Sequence, residues 1–127
     1  MRYDSLAGRR ILLVEDEAIV SMILEDMLVE LGCEIVGPAS RLDQALDMLD
    51  SESFEAVVLD LNLNGVPSYP VADALAERGV PFLFSTGYNN LKNGYKNLPT
   101  LHKPYGTDQL GAKLNAILGP AGSQSSH

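Results

Sequence analysis

The sequence predicts an α/β domain built on a parallel sheet with helices on both faces. Three observations carry this. Five short apolar runs recur: "ILLV" at Ile11, "CEIVG" at Cys33, "AVVLD" at Ala56, "VPFLFS" at Val80 and "TLHK" at Thr100. Helical patterns lie between most of them. Polar residues able to do chemistry follow four of the five runs. Strands that alternate with helices are joined by right-handed crossovers, which cover both faces of a parallel sheet.

The elements follow in order. Residues 1–9 form a short segment before the first strand, without the apolar core of a signal peptide. Between the first and second strands, apolar residues fall at Val20, Ile23, Leu24, Met27, Leu28 and Leu31. That period, near 3.6, predicts a helix from Glu17 to Leu31, ended by Gly32. Ser40 can cap a second helix with Leu42, Ala45, Leu46 and Leu49 inward. A third, shorter helix runs from about Ser68 to Arg78 and stops at Gly79. The last begins near Thr107, turns Leu110, Leu114, Ile117 and Leu118 inward, and ends at Gly119 and Pro120. One interval breaks the rhythm. "GYNNLKNGYKNLP", Gly87 to Pro99, holds four Asn, two Gly and no apolar stripe where a fourth helix belongs. It predicts a loop or a weak turn of helix. The small, polar tail 120–127 predicts disorder.

Composition bounds the function. A chain of 127 residues with 46% apolar content makes one domain with a real core. The net charge of -8 works against nonspecific nucleic-acid binding, which needs basic residues on phosphates. It suits a basic protein partner or a bound cation. The single cysteine, Cys33, allows no intrachain disulfide. No apolar run approaches the roughly 20 residues that span a bilayer. A cytoplasmic protein with no membrane partner is the expectation.

The polar residues at the strand ends form the candidate site. Glu15, Asp16 and Glu17 follow the first strand, Asp60 the third, Ser85 and Thr86 the fourth, Lys103 and Pro104 the fifth. In an open parallel sheet these carboxyl ends lie along one edge. Clustered carboxylates repel, and a hard cation such as Mg2+ resolves this with oxygen ligands. An Asp carboxylate can attack phosphorus to give an aspartyl-phosphate. A metal, a lysine and a hydroxyl can neutralise the oxygens of the transferring group. Each residue also has a plain reading. Asp16 can cap the first helix, Asp60 can cap a turn, Thr86 can simply end a strand, and Lys103 can be a solvated turn residue. Four such accidents at one edge are less credible than one site. Glu17 reads as a charge favourable to the helix dipole. His102 and His127 lack partner ligands, so no zinc site is expected.

"ILLVEDE", "VVLDLNLNG", "FLFSTGY" and "HKP" resemble, in order and spacing, the blocks of bacterial response-regulator receiver domains. The resemblance covers Arg10 to Leu118, so residues 10–119 are taken as the receiver. It implies a flavodoxin-like, doubly wound sheet of order 2-1-3-4-5, with the fourth helix weak or absent here. It implies phosphorylation by a sensor histidine kinase, with Asp60 as acceptor. Asp16 matches a direct Mg2+ ligand, Glu15 its water-mediated neighbour, and the Asn62 backbone carbonyl a third protein ligand. Thr86 and Lys103 match the groups that contact the phosphoryl group. "PFLFSTGY", Pro81 to Tyr88, is similar to the Pro-Phe-x-Phe-Ala-Thr-Gly-Tyr motif of the "FAT GUY" regulators, with Ser85 in place of Ala. That group is associated with kinases of the HWE or HisKA2 type. The aromatic switch position of receivers, three before the lysine, holds Thr100, so the usual threonine–aromatic coupling is missing.

A chain of this length leaves no room for a DNA-binding module after the receiver. Protein contacts are therefore expected to carry the signal, to a downstream partner or a phosphotransfer protein. Two alternatives stand beside this reading. A haloacid-dehalogenase-like phosphohydrolase also uses a strand-end Asp nucleophile, but needs a second Asp where this chain has Asn62. A receiver-like interaction module that is never phosphorylated would not need Asp16, Asp60, Thr86 and Lys103 together. The expectation is a phosphoacceptor signalling protein, not an enzyme.

Overall fold

The computed structural model describes residues 4–87, 91, 92 and 94–119. Tyr88, in the motif above, and the tail 120–127 lie outside these residues. The strands are β1 (Arg10–Val14), β2 (Glu34–Ala39), β3 (Ala56–Asp60), β4 (Asn62–Leu63), β5 (Val66–Pro67), β6 (Phe82–Thr86) and β7 (Thr100–His102). The helices are α1 (Ala18–Glu30), α2 (Leu42–Ser51), α3 (Tyr69–Glu77) and α4 (Thr107–Leu118), after a short 3-10 turn at Asp4–Leu6. The main sheet has the order β2-β1-β3-β6-β7, all parallel. Counting only its five strands, this is the expected 2-1-3-4-5.

Period-2 alternation along the central strands divides the core. Leu12, Val14, Val57, Leu59, Phe82 and Phe84 pack on one face with Ala45, Leu49, Val71 and Leu75 of α2 and α3. Ile11, Leu13, Ala56, Val58, Leu83 and Leu101 pack on the other with Leu24, Leu28, Leu110 and Leu114 of α1 and α4. β1 and β3 are buried on both faces, which is why they read as unbroken apolar runs. Each fully buried leucine contributes about 2–3 kcal/mol of transfer free energy. Cys33 is buried with its thiol against the Leu6 carbonyl, and burial pushes that thiol up to about 11.

Some local expectations change. Ile23 points outward, 50% exposed, while Ser21 is buried in its stead. Ile19, Val20, Met22, Ile23, Leu24, Met27, Leu28 and Val29 spread apolar residues around most of α1, so its sequence marks no unique inward stripe. Ser40 does not cap α2; Arg41 holds that position, and Gln44 Oε1 accepts from the Ser40 N–H at 2.9 Å. The interval 87–99 contains no helix among the described residues; Gly94–Asn97 form turns. It nevertheless has apolar anchors: Leu91 is buried, and Tyr95 and Leu98 pack on the α2–α3 side of the core. The Tyr95 ring lies 4.2 Å from that of Tyr69, and its hydroxyl donates to Asp73 Oδ1 at 2.7 Å.

One added element is the β4–β5 hairpin, Asn62–Leu63 against Val66–Pro67. Its turn is Asn64-Gly65, with φ of 55° and 83°. Two consecutive left-handed residues make the turn that matches strand twist in a two-residue hairpin, and Asn-Gly suits it best.

Candidate phosphoacceptor site

Asp60 ends β3 next to β1 on one side and β6 on the other, in register with Ser85. Its backbone is fixed first: the Ser68 hydroxyl, fully buried, donates to the Asp60 carbonyl at 2.6 Å. The Asn62 N–H gives the Asp60 carboxylate only a long contact, 3.4 Å. This one weak turn bond leaves the Asp60 carboxylate facing the crevice. That crevice, about 330 Å³, is lined by Asp16, Glu17, Asp60, Asn62, Gly87 and Lys103. Thr86 is the last residue of β6 and is buried immediately before Gly87.

The acids converge. Glu15, Asp16 and Asp60 each place a carboxylate oxygen within 4.8 Å of the others. Asp16 does not cap α1; the N-cap is Glu17, which makes no side-chain cap bond. Asp16 instead accepts the Asn64 N–H at 3.0 Å, tying the β1–α1 loop to the hairpin. Glu15 is buried, and its Oε2 accepts the Glu17 N–H at 3.2 Å. Lys103 is no solvated turn lysine. Its Nζ lies 3.0 Å from Glu15 Oε1 and 3.7 Å from Asp60 Oδ2.

Electrostatics explain why such a cluster invites a cation. Burial first, then the hydrogen bond and charge of Glu15, push Asp60 up to about 8; the Lys103 ammonium and the Asn62 N–H work in the opposite direction. Without a metal, burial and the neighbouring Glu15 thus favour the neutral form of Asp60. Two carboxylates this close and this buried resist joint ionisation. A hard divalent cation removes the conflict, and an all-oxygen donor set with a lysine alongside fits Mg2+.

Sequence reasoning missed three contributors. The Asn64 N–H orients Asp16, and the Asn-Gly signal could have suggested it. Ser68 reads as a helix start, yet it secures the acceptor strand end. Tyr105 reaches the site through a contact that no local pattern reveals: its hydroxyl lies 2.6 Å from Ser85 Oγ.

Residues 11–115 match the response regulator receiver domain family. The chain belongs to that family. The transcriptional regulatory protein PcoR of Escherichia coli is 31% identical over 127 residues, covering 92% of this chain and 54% of PcoR. PdtaR of Mycobacterium tuberculosis is 30% identical over 87 residues, covering 68% of this chain and 42% of PdtaR. The receiver thus spans about half the length of these curated relatives or less. Among solved structures, SdrG from Sphingomonas melonis Fr1 is 36% identical with a TM-score of 0.79, covering 91% of this chain and 99% of SdrG. The receiver domain of Erythrobacter litoralis PhyR is 27% identical with a TM-score of 0.78, covering 88% of this chain and 91% of that one. Family membership removes the phosphohydrolase alternative. No helix among the described residues of this receiver is long and apolar enough to cross a membrane.

Proposed function

We propose that this receiver accepts a phosphoryl group on Asp60 from the phosphohistidine of a sensor histidine kinase and signals through protein contacts in the cytoplasm. The observation that carries the reading is the convergence of Glu15, Asp16 and Asp60 within 4.8 Å with Lys103 beside them. Asp16 and Asp60 would hold Mg2+ directly, with Glu15 acting through water and the Asn62 carbonyl as a further ligand. The ion supplies charge neutralisation for the acids and the phosphoryl oxygens.

Asp60, as carboxylate, attacks phosphorus. The new bond is an acyl phosphate P–O bond; the P–N bond breaks, and its electron pair stays on the kinase imidazole. Lys103 exchanges Glu15 for a phosphoryl oxygen, and the Thr86 hydroxyl donates to another. These groups act on charge that develops in the transition state.

The surface beside the site supports a helical partner. Ile19 and Met22 on α1 are 74% and 64% exposed, although apolar. Next to them Val20, Ile23, Leu24 and Met27 line a groove closed by Lys103, Pro104 and Tyr105. An amphipathic helix of the kinase would bury this strip while presenting its phosphohistidine to Asp60. The Pro81 to Tyr88 motif favours a kinase of the HWE or HisKA2 type. The signal then passes to a downstream protein or a phosphotransfer protein. A relative supports this reading: a BeF3-activated conformation is known for SdrG, 37% identical in that structure with a TM-score of 0.76.

The test is incubation with acetyl phosphate and Mg2+, then with phosphorylated kinases of the two types. The wild type should gain a base-labile phosphoryl group and Asp60→Ala should gain none. Equal labelling of Asp60→Ala would refute the assignment.

A further inference from the structure

Ser85 is where this chain departs from the Pro-Phe-x-Phe-Ala-Thr-Gly-Tyr motif, and the chemistry above makes no use of its hydroxyl. The side chain is fully buried on β6. A buried hydroxyl needs a partner, and this one has Tyr105, with 2.6 Å between the two oxygens. Tyr105 lies two residues beyond Lys103. On the near side of Pro104, the Lys103 N–H donates to the Thr86 carbonyl at 2.7 Å. The turn that carries Lys103 is thus tied to two consecutive residues of β6, one tie on each side of the proline. The far tie ends on Ser85, the register partner of Asp60. Burial pushes the Tyr105 hydroxyl up to about 12, and the charges of Glu15 and Asp60 add to this, so it stays protonated and able to bond.

Given Asp60 as acceptor, we propose that the Ser85–Tyr105 pair is a positioning element for Lys103. It holds the turn against β6, so that the flexible lysine stem starts from a fixed point within reach of both Glu15 and a phosphoryl group on Asp60. With an alanine in the motif position, the turn would keep only its near tie. The Tyr105 ring also closes the α1 groove with Val20, Ile23 and Met27. The pair therefore joins the wall of the partner groove to the strand beside the acceptor.

The experiment measures beryllofluoride affinity in Mg2+, by calorimetry, for wild type, Ser85→Ala, Tyr105→Phe and the double variant. Each single change removes one oxygen and keeps the packing, and thermal melting checks the fold. Each single variant should lose about three- to tenfold in beryllofluoride affinity, the worth of one hydrogen bond. The double variant should lose no more than either single. Mg2+ affinity without beryllofluoride should stay within about twofold. In a Lys103→Ala background Ser85→Ala should have no further effect, because the pair acts only through that lysine. Single variants that bind beryllofluoride like wild type would overturn the proposal, as would an undiminished Ser85→Ala effect without Lys103. A wild type that binds Mg2+ but no beryllofluoride would overturn the acceptor reading itself, and this proposal with it.

Discussion

Replacing Asp60 by asparagine should stabilise the metal-free receiver, by an amount that grows with pH. Asparagine keeps the shape of the side chain and removes the charge. The sign follows from the shift of Asp60 up to about 8. An unfolded aspartate loses its proton near pH 4, whereas the folded one keeps it to near pH 8. Between these limits the native state binds more protons than the unfolded chain, so wild-type stability falls as pH rises. Below about pH 4 the penalty is absent, and above about pH 8 it is complete. The distances give the size. One like-charge pair at 4.8 Å or less costs about 3–4 kcal/mol at an effective dielectric near 20. The Lys103 ammonium, 3.7 Å from Asp60, offsets a similar amount. Two neighbouring acids against one lysine leave about one repulsion uncompensated, or roughly 3 kcal/mol, and the burial of Asp60 adds to it.

The assay is urea denaturation of wild type and Asp60→Asn in EDTA, at about pH 5 and about pH 9. The variant should be more stable by about 3 kcal/mol or more at the higher pH and by about 1–2 kcal/mol at the lower one, where the unfolded aspartate has already lost its proton. Adding about 10 mM Mg2+ at the higher pH should close most of the gap, because the ion stabilises the folded wild type by mass action. A gap independent of pH, or a variant less stable than wild type above about pH 8, would refute the electrostatic account.

Three further outcomes are expected. Lys103→Ala should destabilise the metal-free protein at about pH 8 by about 1–3 kcal/mol, since Glu15 and Asp60 then face each other unopposed; chemical denaturation reads it, and an unchanged midpoint counts against the ion pair. Gly65→Ala places a side chain at a φ of 83° and should cost about 1 kcal/mol, with amide shifts at Asn64 and Asp16; shifts confined to the hairpin would separate it from the site. Tyr95→Phe removes the hydrogen bond to Asp73 and should raise amide exchange in the described part of 91–99 by about tenfold, leaving α1 unchanged; equal protection in both proteins would show that ring packing alone holds the segment.

The sheet was legible because its signals are local. Apolar runs with polar ends, Gly32 and Gly79 as stops, and period-3.6 faces on α2 and α4 need only short windows. The placement of the site was legible for a related reason: a parallel sheet sends every strand end to one edge, so Asp16, Asp60, Thr86 and Lys103 could be brought together from topology alone. α1 was misread because an apolar residue can face a partner as well as a core. Ile23 obeys the same periodicity as Leu24, and only the packing of α4 and β2 decides between them.

The interval 87–99 is the loop its composition predicts, and what anchors it bears on where a signal would leave the site. Its composition lacks a stripe, so it forms no helix among the described residues. Yet Tyr95 reaches Tyr69 and Asp73 on α3, and the Lys92 N–H donates to the Tyr69 hydroxyl at 3.0 Å. Single aromatic anchors replace the missing helix face, and pattern reading has no template for them. Tyr69 in turn meets Phe84 of β6 edge-on, with ring centroids 6.1 Å apart. Thr100 cannot supply the aromatic that couples most receivers, but a ring contact to β6 exists on the same face, through Phe84 and α3. The end of β6 thus has two outlets in this chain: Ser85 to Tyr105 and the α1 groove, and Phe84 to Tyr69 and the segment after Thr86. A phosphoryl group that draws on Thr86, next to Ser85 and two residues beyond Phe84, would act on the one strand from which both contacts begin.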